Sequence, residues 1–259
     1  MFKKSCSVLL LLYIGLLEPT WGALADANGI KIASGENGIL SVQMNMTSGK
    51  YKLLVAKDGA RYYYDLHPGG LEQFPLQMGS GQYQIAVMEN VSGDQYSFVK
   101  NQTVSSNIEE DTAIFLNSVQ NINWDEGSEA VKMAAQLTRG AATDSEKINI
   151  IYSYVIENIS FDKAGLGTLP SDYVPDIDQT LQSKKGICYD FSSLFAAMAR
   201  SVGVPCKLVK GYSDNAVGYH AWNEVYLDGT WKIIDTSVDA QVPGTMFKKS
   251  SNYKKVYEY

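Results

Sequence analysis

Three cysteines and two histidines are all that 259 residues offer for thiol or imidazole chemistry. A disulfide scaffold uses more cysteines in a smaller chain, so that class is excluded. No motif for a nucleotide, flavin, haem or zinc is present, and no cofactor is expected. Basic residues are also short, with 22 Lys and Arg against 28 Asp and Glu and a net charge of -6. A nucleic-acid partner would need a basic footprint, and this chain has none. Only seven prolines, beside 17 tyrosines and 45% hydrophobic residues, read as globular rather than disordered or collagenous. This length suits one large domain or two ordinary ones.

Long apolar runs are missing too. The only candidate, Cys6–Leu17, stops at Glu18-Pro19 and falls short of the ~20 residues that a bilayer-spanning helix needs. With Lys3 and Lys4 ahead of it and Ala23-Leu24-Ala25 behind, it reads as a secretory signal over residues 1–25, cleaved near Ala25. The expected location is secreted, periplasmic or cell-surface, with no stable span in the mature chain. Cys188 and Cys206 then remain. One begins a helix and the other begins the strand after it. A four-turn helix separates its ends by roughly 20 Å, whereas a disulfide needs Cα atoms within ~7 Å. A free thiol in an exported chain needs a reason, and catalysis is one.

Residues 26–108 carry a period of two. Leu40, Val42, Met44 and Met46 alternate with Ser41, Gln43 and Asn45, and Tyr83, Ile85 and Val87 alternate with Gln82 and Gln84. Turn signals such as Asp58-Gly59, His67-Pro68-Gly69 and Ser92-Gly93-Asp94 punctuate these runs, which predicts a small antiparallel β-sandwich. Tyr62, Tyr63 and Tyr64 are explained by strand packing more simply than by a ligand. His67 sits in a Pro-Gly turn with no second imidazole nearby and reads as a loop residue.

Residues 109–126 read as a linker and residues 127–259 as a second domain. A helix is predicted from Ser128 to Arg139. Thr143-Asp144-Ser145-Glu146 is a capping box that opens another, with Ile148, Ile151, Tyr152, Val155 and Ile159 on one face. Phe161 to Lys185 reads as a long loop, a length that is often functional. Asp172, Asp176 and Asp178 lack the spacing and glycine of a calcium loop and read as a solvated acidic stretch. Phe191, Leu194, Phe195, Met198 and Val202 then recur at helical spacing, stopped by Gly203-Val204-Pro205. Helices followed by strands make this half α+β.

Cys188 opens that helix, where unpaired N–H groups and the positive dipole end favour a thiolate. Alone it is equally a small buried core residue. Downstream, Asp228-Gly229 between two strand-like runs is a two-residue hairpin signal. It sets Leu227 opposite Thr230 and Trp222 opposite Asp235. His220, two residues from Trp222, then shares a face with Asp235 at a distance side chains can bridge. A nucleophile, an imidazole and an orienting carboxylate form a catalytic set, Cys188, His220 and Asp235. The Cys188 N–H is one oxyanion donor, and Gln179, Gln182 and Tyr173 are the polar groups nearest in sequence for a second. Trp222, with Tyr189 and Tyr219 next to the reacting residues, is expected to wall the site. No metal ligand set is expected.

The stretches G-I-C-Y-D-F-S-S-L-F-A-A-M-A-R-S-V-G-V-P and Y-H-A-W-N-E-V-Y-L-D-G-T-W-K-I-I-D resemble the transglutaminase-like superfamily of papain-fold thiol enzymes. The match runs from about Asp144 to the C-terminus. It implies a core of helices on an antiparallel sheet, with Cys188 as nucleophile, His220 as base and Asp235 as third member. Thr236 stands where many relatives carry proline. The β-rich half resembles accessory domains that precede this module in bacterial exported proteins. The family's shared logic, an acyl-thioester passed to water or an amine, implies a protein or peptide substrate and leaves hydrolysis and acyl transfer both open. The rival reading is a non-catalytic binding module that uses its β-domain, with the thiol fold as scaffold.

Overall fold

Alternating side chains from Ile30 onward pair into two antiparallel sheets in a computed structural model that describes residues 29–259. The signal reading for residues 1–25 lies outside them. One sheet joins β1 (Ile30–Ser34), β2 (Ile39–Met44) and β5 (Leu71–Pro75) in the order β1-β2-β5. The other joins β3 (Tyr51–Lys57), β4 (Ala60–Leu66), β6 (Gly81–Ser92) and β7 (Gln95–Ser106) in the order β4-β3-β6-β7. Leu40, Val42 and Phe74 of the first share a core with Leu53, Val55, Tyr83 and Ile85 of the second. Asp58 and Gly59 both take positive φ, 51° and 86°, the geometry a two-residue hairpin loop demands.

Glu109–Glu126 packs closely against both halves. A 3-10 turn at Ala113–Leu116 buries Ile114 and Phe115, and Phe115 meets Trp231 edge-on at 5.4 Å. Gln120 donates its backbone N–H to Gln73 O, and Ser193 donates to Asn121 O at 2.8 Å. One core therefore runs through residues of both halves.

The C-terminal half is built around one helix. α1 (Glu129–Leu137) and α2 (Asp144–Asn158) come first, α2 opened by the Thr143–Glu146 capping box. β8 (Ser160–Phe161), α3 (Ile177–Ser183) and β9 (Lys185–Gly186) follow, then α4 (Cys188–Ser201). The sheet adds β10 (Cys206–Ser213), β11 (His220–Leu227) and β12 (Thr230–Ile234), then α5 (Thr236–Asp239) and β13 (Tyr253–Glu258), in the order β12-β11-β10-β13. Every residue of α4 from Asp190 to Arg200 is buried, so the helix is the centre of a helix-on-sheet core rather than a one-faced surface helix. The architecture is α+β. Among the described residues no helix is long and apolar enough to cross a membrane.

Two expectations change. The loop expected over Phe161–Lys185 contains β8's end, α3 and β9; a two-turn helix with inward Ile177 and Thr180 is too short to show a period. Two of its aspartates, though solvent-facing, also cap helices. Asp176 accepts from the N–H groups of Asp178 and Gln179 at the start of α3, and Asp178 accepts from Glu129 and Ala130 at the start of α1. β10 is extended from Cys206 throughout. It stays extended to Ser213, with a bulge against β13 between Lys210 and Gly211.

Tyr62 and Tyr64 pack across the halves. Tyr62 meets Tyr257 and Tyr259 edge-on at 5.3 and 5.9 Å, and Tyr64 meets Tyr259 at 5.8 Å. Tyr63, pointing the other way, is exposed.

Candidate active site

Cys188 is the first residue of α4, and its neighbours hold that helix start in place. Asp190 accepts the Ile187 N–H at 2.7 Å and the Tyr173 hydroxyl at 2.6 Å. Burial raises the Asp190 carboxyl above its usual range, and these two bonds pull the other way. Gly186 lies so close to Asp190 that an added Cβ would fall 2.5 Å from the aspartate Cβ. Only glycine fits there. The parallel pairing of Phe161 with Gly186 fixes the approach to Cys188.

The hairpin places the second component. Asp228 and Gly229 take φ of 53° and 78°, and Leu227 pairs with Thr230 and Asn223 with Ile234. At the open end, His220 Nε2 lies 2.8 Å from Asp235 Oδ2. A carboxylate only accepts, so Nε2 carries the proton, and Cys188 acts on the same ring. Among the described residues both cysteines are free, Cys206 buried and Cys188 half-buried.

Asp235 is fully buried and fully used. It caps α5, its Oδ1 accepting from the Val238 N–H and the Ser237 hydroxyl. Oδ2 accepts from Tyr253 at 2.9 Å as well as from His220. Trp222 stacks on the His220 ring with centroids 6.2 Å apart and planes 24° apart. Burial to 1% exposure makes Trp222 a backing behind the imidazole rather than an open wall. Tyr219 is half-exposed and meets Tyr212 edge-on at 5.6 Å. Tyr189 is half-buried and meets Tyr173 at 6.3 Å.

Burial opposes a charge on His220. Its bond to Asp235 and its interaction with Cys188 outweigh that and hold the imidazole up at about 9. With only two histidines in the chain, the ring is readily followed by proton NMR. The wild-type His220 resonance is expected to titrate near pH 9. In Asp235→Asn, which removes the charge favouring the imidazolium, the midpoint is expected to drop by about one unit or more. An unmoved midpoint would show that Asp235 does not sustain the charge.

Of the three side chains nearest in sequence, Tyr173 gives its proton to Asp190, and Gln179 and Gln182 are exposed on α3. The Cys188 N–H lies in the first turn of α4, where no intrahelical acceptor exists. Sequence reasoning passed over Tyr253, Asp190 and Lys210. Tyr253, Lys255, Tyr257 and Tyr259 do carry a strand-like alternation, but nothing in it announces that Tyr253 reaches Asp235. Among the described residues no three His, Cys, Asp or Glu side chains cluster as a metal site.

Residues 131–236 match the model of the transglutaminase-like superfamily. The chain is 30% identical over 129 residues to human kyphoscoliosis peptidase, a match covering 46% of this chain and 19% of that protein. It is 25% identical over 139 residues to cytokinesis protein 3 of Schizosaccharomyces pombe, covering 50% of this chain and 15% of that one. The chain thus spans less than a fifth of either relative. Among solved structures, the periplasmic domain of TgpA from Pseudomonas aeruginosa superposes with a TM-score of 0.39 at 14% identity, over 81% of this chain and 90% of that one.

Proposed function

Taking as premise that residues 131–236 are a transglutaminase-like core, we propose that this chain is an exported cysteine-dependent enzyme acting on amide bonds of proteins or peptides. The observation that carries the reading is His220, hydrogen-bonded to the buried Asp235 and interacting with Cys188 at the start of α4. Cys188 Sγ, its proton held by His220, attacks the carbonyl carbon. Negative charge develops on the carbonyl oxygen, and the Cys188 N–H at the start of α4 is the candidate donor to it. The imidazolium gives its proton to the departing nitrogen, the C–N bond breaks, and an acyl-thioester remains. His220 then takes a proton from water or an amine, which attacks the thioester and returns the sulfur to His220 as an ion pair. Asp235 holds the tautomer throughout, itself steadied by Tyr253 and Ser237. The leader over residues 1–25 carries this chemistry out of the cytoplasm.

A binding-module reading has one observation in its favour. A polar cavity of about 450 Å³ lies between β5 and α3, lined by His67, Glu72, Gln120, Trp124 and Asp178 and by none of Cys188, His220 or Asp235. One experiment separates the readings. Incubation with glutamine-containing peptides and a primary amine, followed by mass spectrometry, is expected to show cleavage, deamidation or amine incorporation that Cys188→Ala abolishes. A wild-type chain that yields none of these, with Cys188 no more reactive at pH 6 than a model thiol, would return the function to the β-domain.

A further inference from the structure

Lys210 stands on β10 opposite Ala221, the residue after His220. Its Nζ lies 3.6 Å from the centroid of the Tyr189 ring, the residue after Cys188, and 5.4 Å from that of Tyr259. The charge of Cys188 acts on it directly. Lysines drawn this far in are ordinarily paired, and the neighbouring ones are. Lys207 reaches Glu258 at 3.0 Å, Lys255 reaches Glu224 at 2.7 Å, and Lys248 pairs with Asp239. Among the described residues no carboxylate pairs with Lys210. Its ammonium is held by two ring faces alone, a cation–π seat beside the nucleophile.

A lysine that merely buries its stem sends its ammonium out to water. This one lays its ammonium against the ring that follows Cys188. Burial lowers Lys210 to about 8, and Cys188 pulls the other way, so the group is still largely charged at neutral pH. Its surroundings therefore offer a desolvated positive charge that feels the reacting sulfur, and among the described residues no carboxylate of the protein's own neutralises it.

We propose that Lys210 is the anion-recognising residue of the acyl-donor site, pairing with a carboxylate that the substrate carries beside the reacting carboxamide. The preferred donors are then acidic peptide segments or chain ends. This inference rests on Cys188 being the nucleophile. The carboxylate has two sources, an Asp or Glu side chain or a free C-terminus, and both present the same charge to Nζ.

The test needs no known substrate. Cys188 is alkylated at pH 7 with anionic iodoacetate and with neutral iodoacetamide, and the ratio of rates is compared with that of a model thiol. The wild-type ratio is expected to favour iodoacetate, and to fall about fivefold or more in Lys210→Gln and Lys210→Met, as removal of one partly desolvated charge implies. Lys210→Met keeps the apolar stem against the rings, so agreement between the variants separates charge from packing. An unchanged ratio overturns the proposal, including the case where both rates fall together, which would make Lys210 a partner of the sulfur alone. A wild-type Cys188 inert to both reagents overturns the nucleophile reading beneath it. Two peptides then compete with iodoacetamide, one with an internal glutamate and an amidated end, the other with a free C-terminus and no acidic side chain. The one that protects the wild type more than Lys210→Gln identifies the source, and protection by neither overturns the substrate assignment.

Discussion

At pH 6, Cys188 in the His220→Ala chain is expected to react with iodoacetamide about a hundredfold more slowly than in the wild type. The size follows from where the proton sits. A thiol with the ordinary pKa of ~8.5 is under ~1% thiolate at pH 6, and alkylation consumes only the thiolate. His220 changes this by keeping its own charge. Asp235 and Cys188 hold the ring up at about 9 against its burial, so the imidazole is positively charged across the neutral range, and a cation beside a thiol favours the thiolate. Deleting the ring leaves the helix N-terminus and the Lys210 ammonium as the remaining influences, and a dipole end is worth only ~0.3–1 kcal/mol at typical exposure. Asp235→Asn is expected to fall between the two, since the ring survives without the carboxylate that sustains its charge. Equal rates in wild type and His220→Ala would mean that the Cys188–His220 contact does no chemical work, and the enzyme reading would fail with it.

The same pair sets a pH limit on stability. A group whose pKa is raised on folding contributes fully below its unfolded value and loses that contribution as pH rises through the folded one. For His220 that window opens near the ordinary ~6.5 and closes at about 9. The contribution of the imidazolium therefore fades on the alkaline side.

Local chemistry explains which of these features were legible in the sequence. Asp228-Gly229 sets hairpin register because both residues must take positive φ, and that register brings the ends of β11 and β12 together. From it alone His220 and Asp235 share a face, and in the folded chain they are hydrogen-bonded. The Thr143–Glu146 cap is equally local, closing within four residues. Other features depend on partners that no local pattern names. Tyr253 reaches Asp235 across 18 residues, and Lys210 meets Tyr189 across two elements. α3 escaped because two turns cannot display a period, and its aspartates serve two different helices. Tyr62 and Tyr64 read as strand residues, but the surface they pack on is the last strand of the chain. Local propensity shaped the elements, and long-range polar contacts finished the site.

The largest loss of stability is expected at a residue that shows no chemistry at all. Arg200, near the end of α4, is 3% exposed, and among the described residues its hydrogen-bond partners are all backbone carbonyls. Its guanidinium donates to three of them, Nε to Cys206 at 2.8 Å, Nη1 to Asn117 at 2.6 Å and Nη2 to Tyr259 at 2.8 Å. Burial lowers it to about 10, with Cys206 pulling the other way, so it remains charged at neutral pH. These acceptors belong to the start of β10, the segment between the halves and the chain end, so one side chain ties three otherwise separate strands of backbone to the central helix. Arg200→Met fills similar volume yet strands buried carbonyls, and is expected to cost about 3–5 kcal/mol. For a chain of this size that lowers the melting temperature by about 10 °C. Arg200→Lys is expected to recover little, because an ammonium is a point donor and cannot span the planar fork. Thermal melts of the three chains, with hydrogen exchange read at the Tyr259 amide that pairs with Leu208, decide the matter. A methionine variant within about 1 kcal/mol of wild type would mean that the carbonyls find other donors. A lysine variant as stable as wild type would assign the effect to charge alone. Loss in both, with faster exchange at Tyr259, would place the origin in the fork, and would tie the strand that carries Lys210 to the helix that carries Cys188 through a single guanidinium.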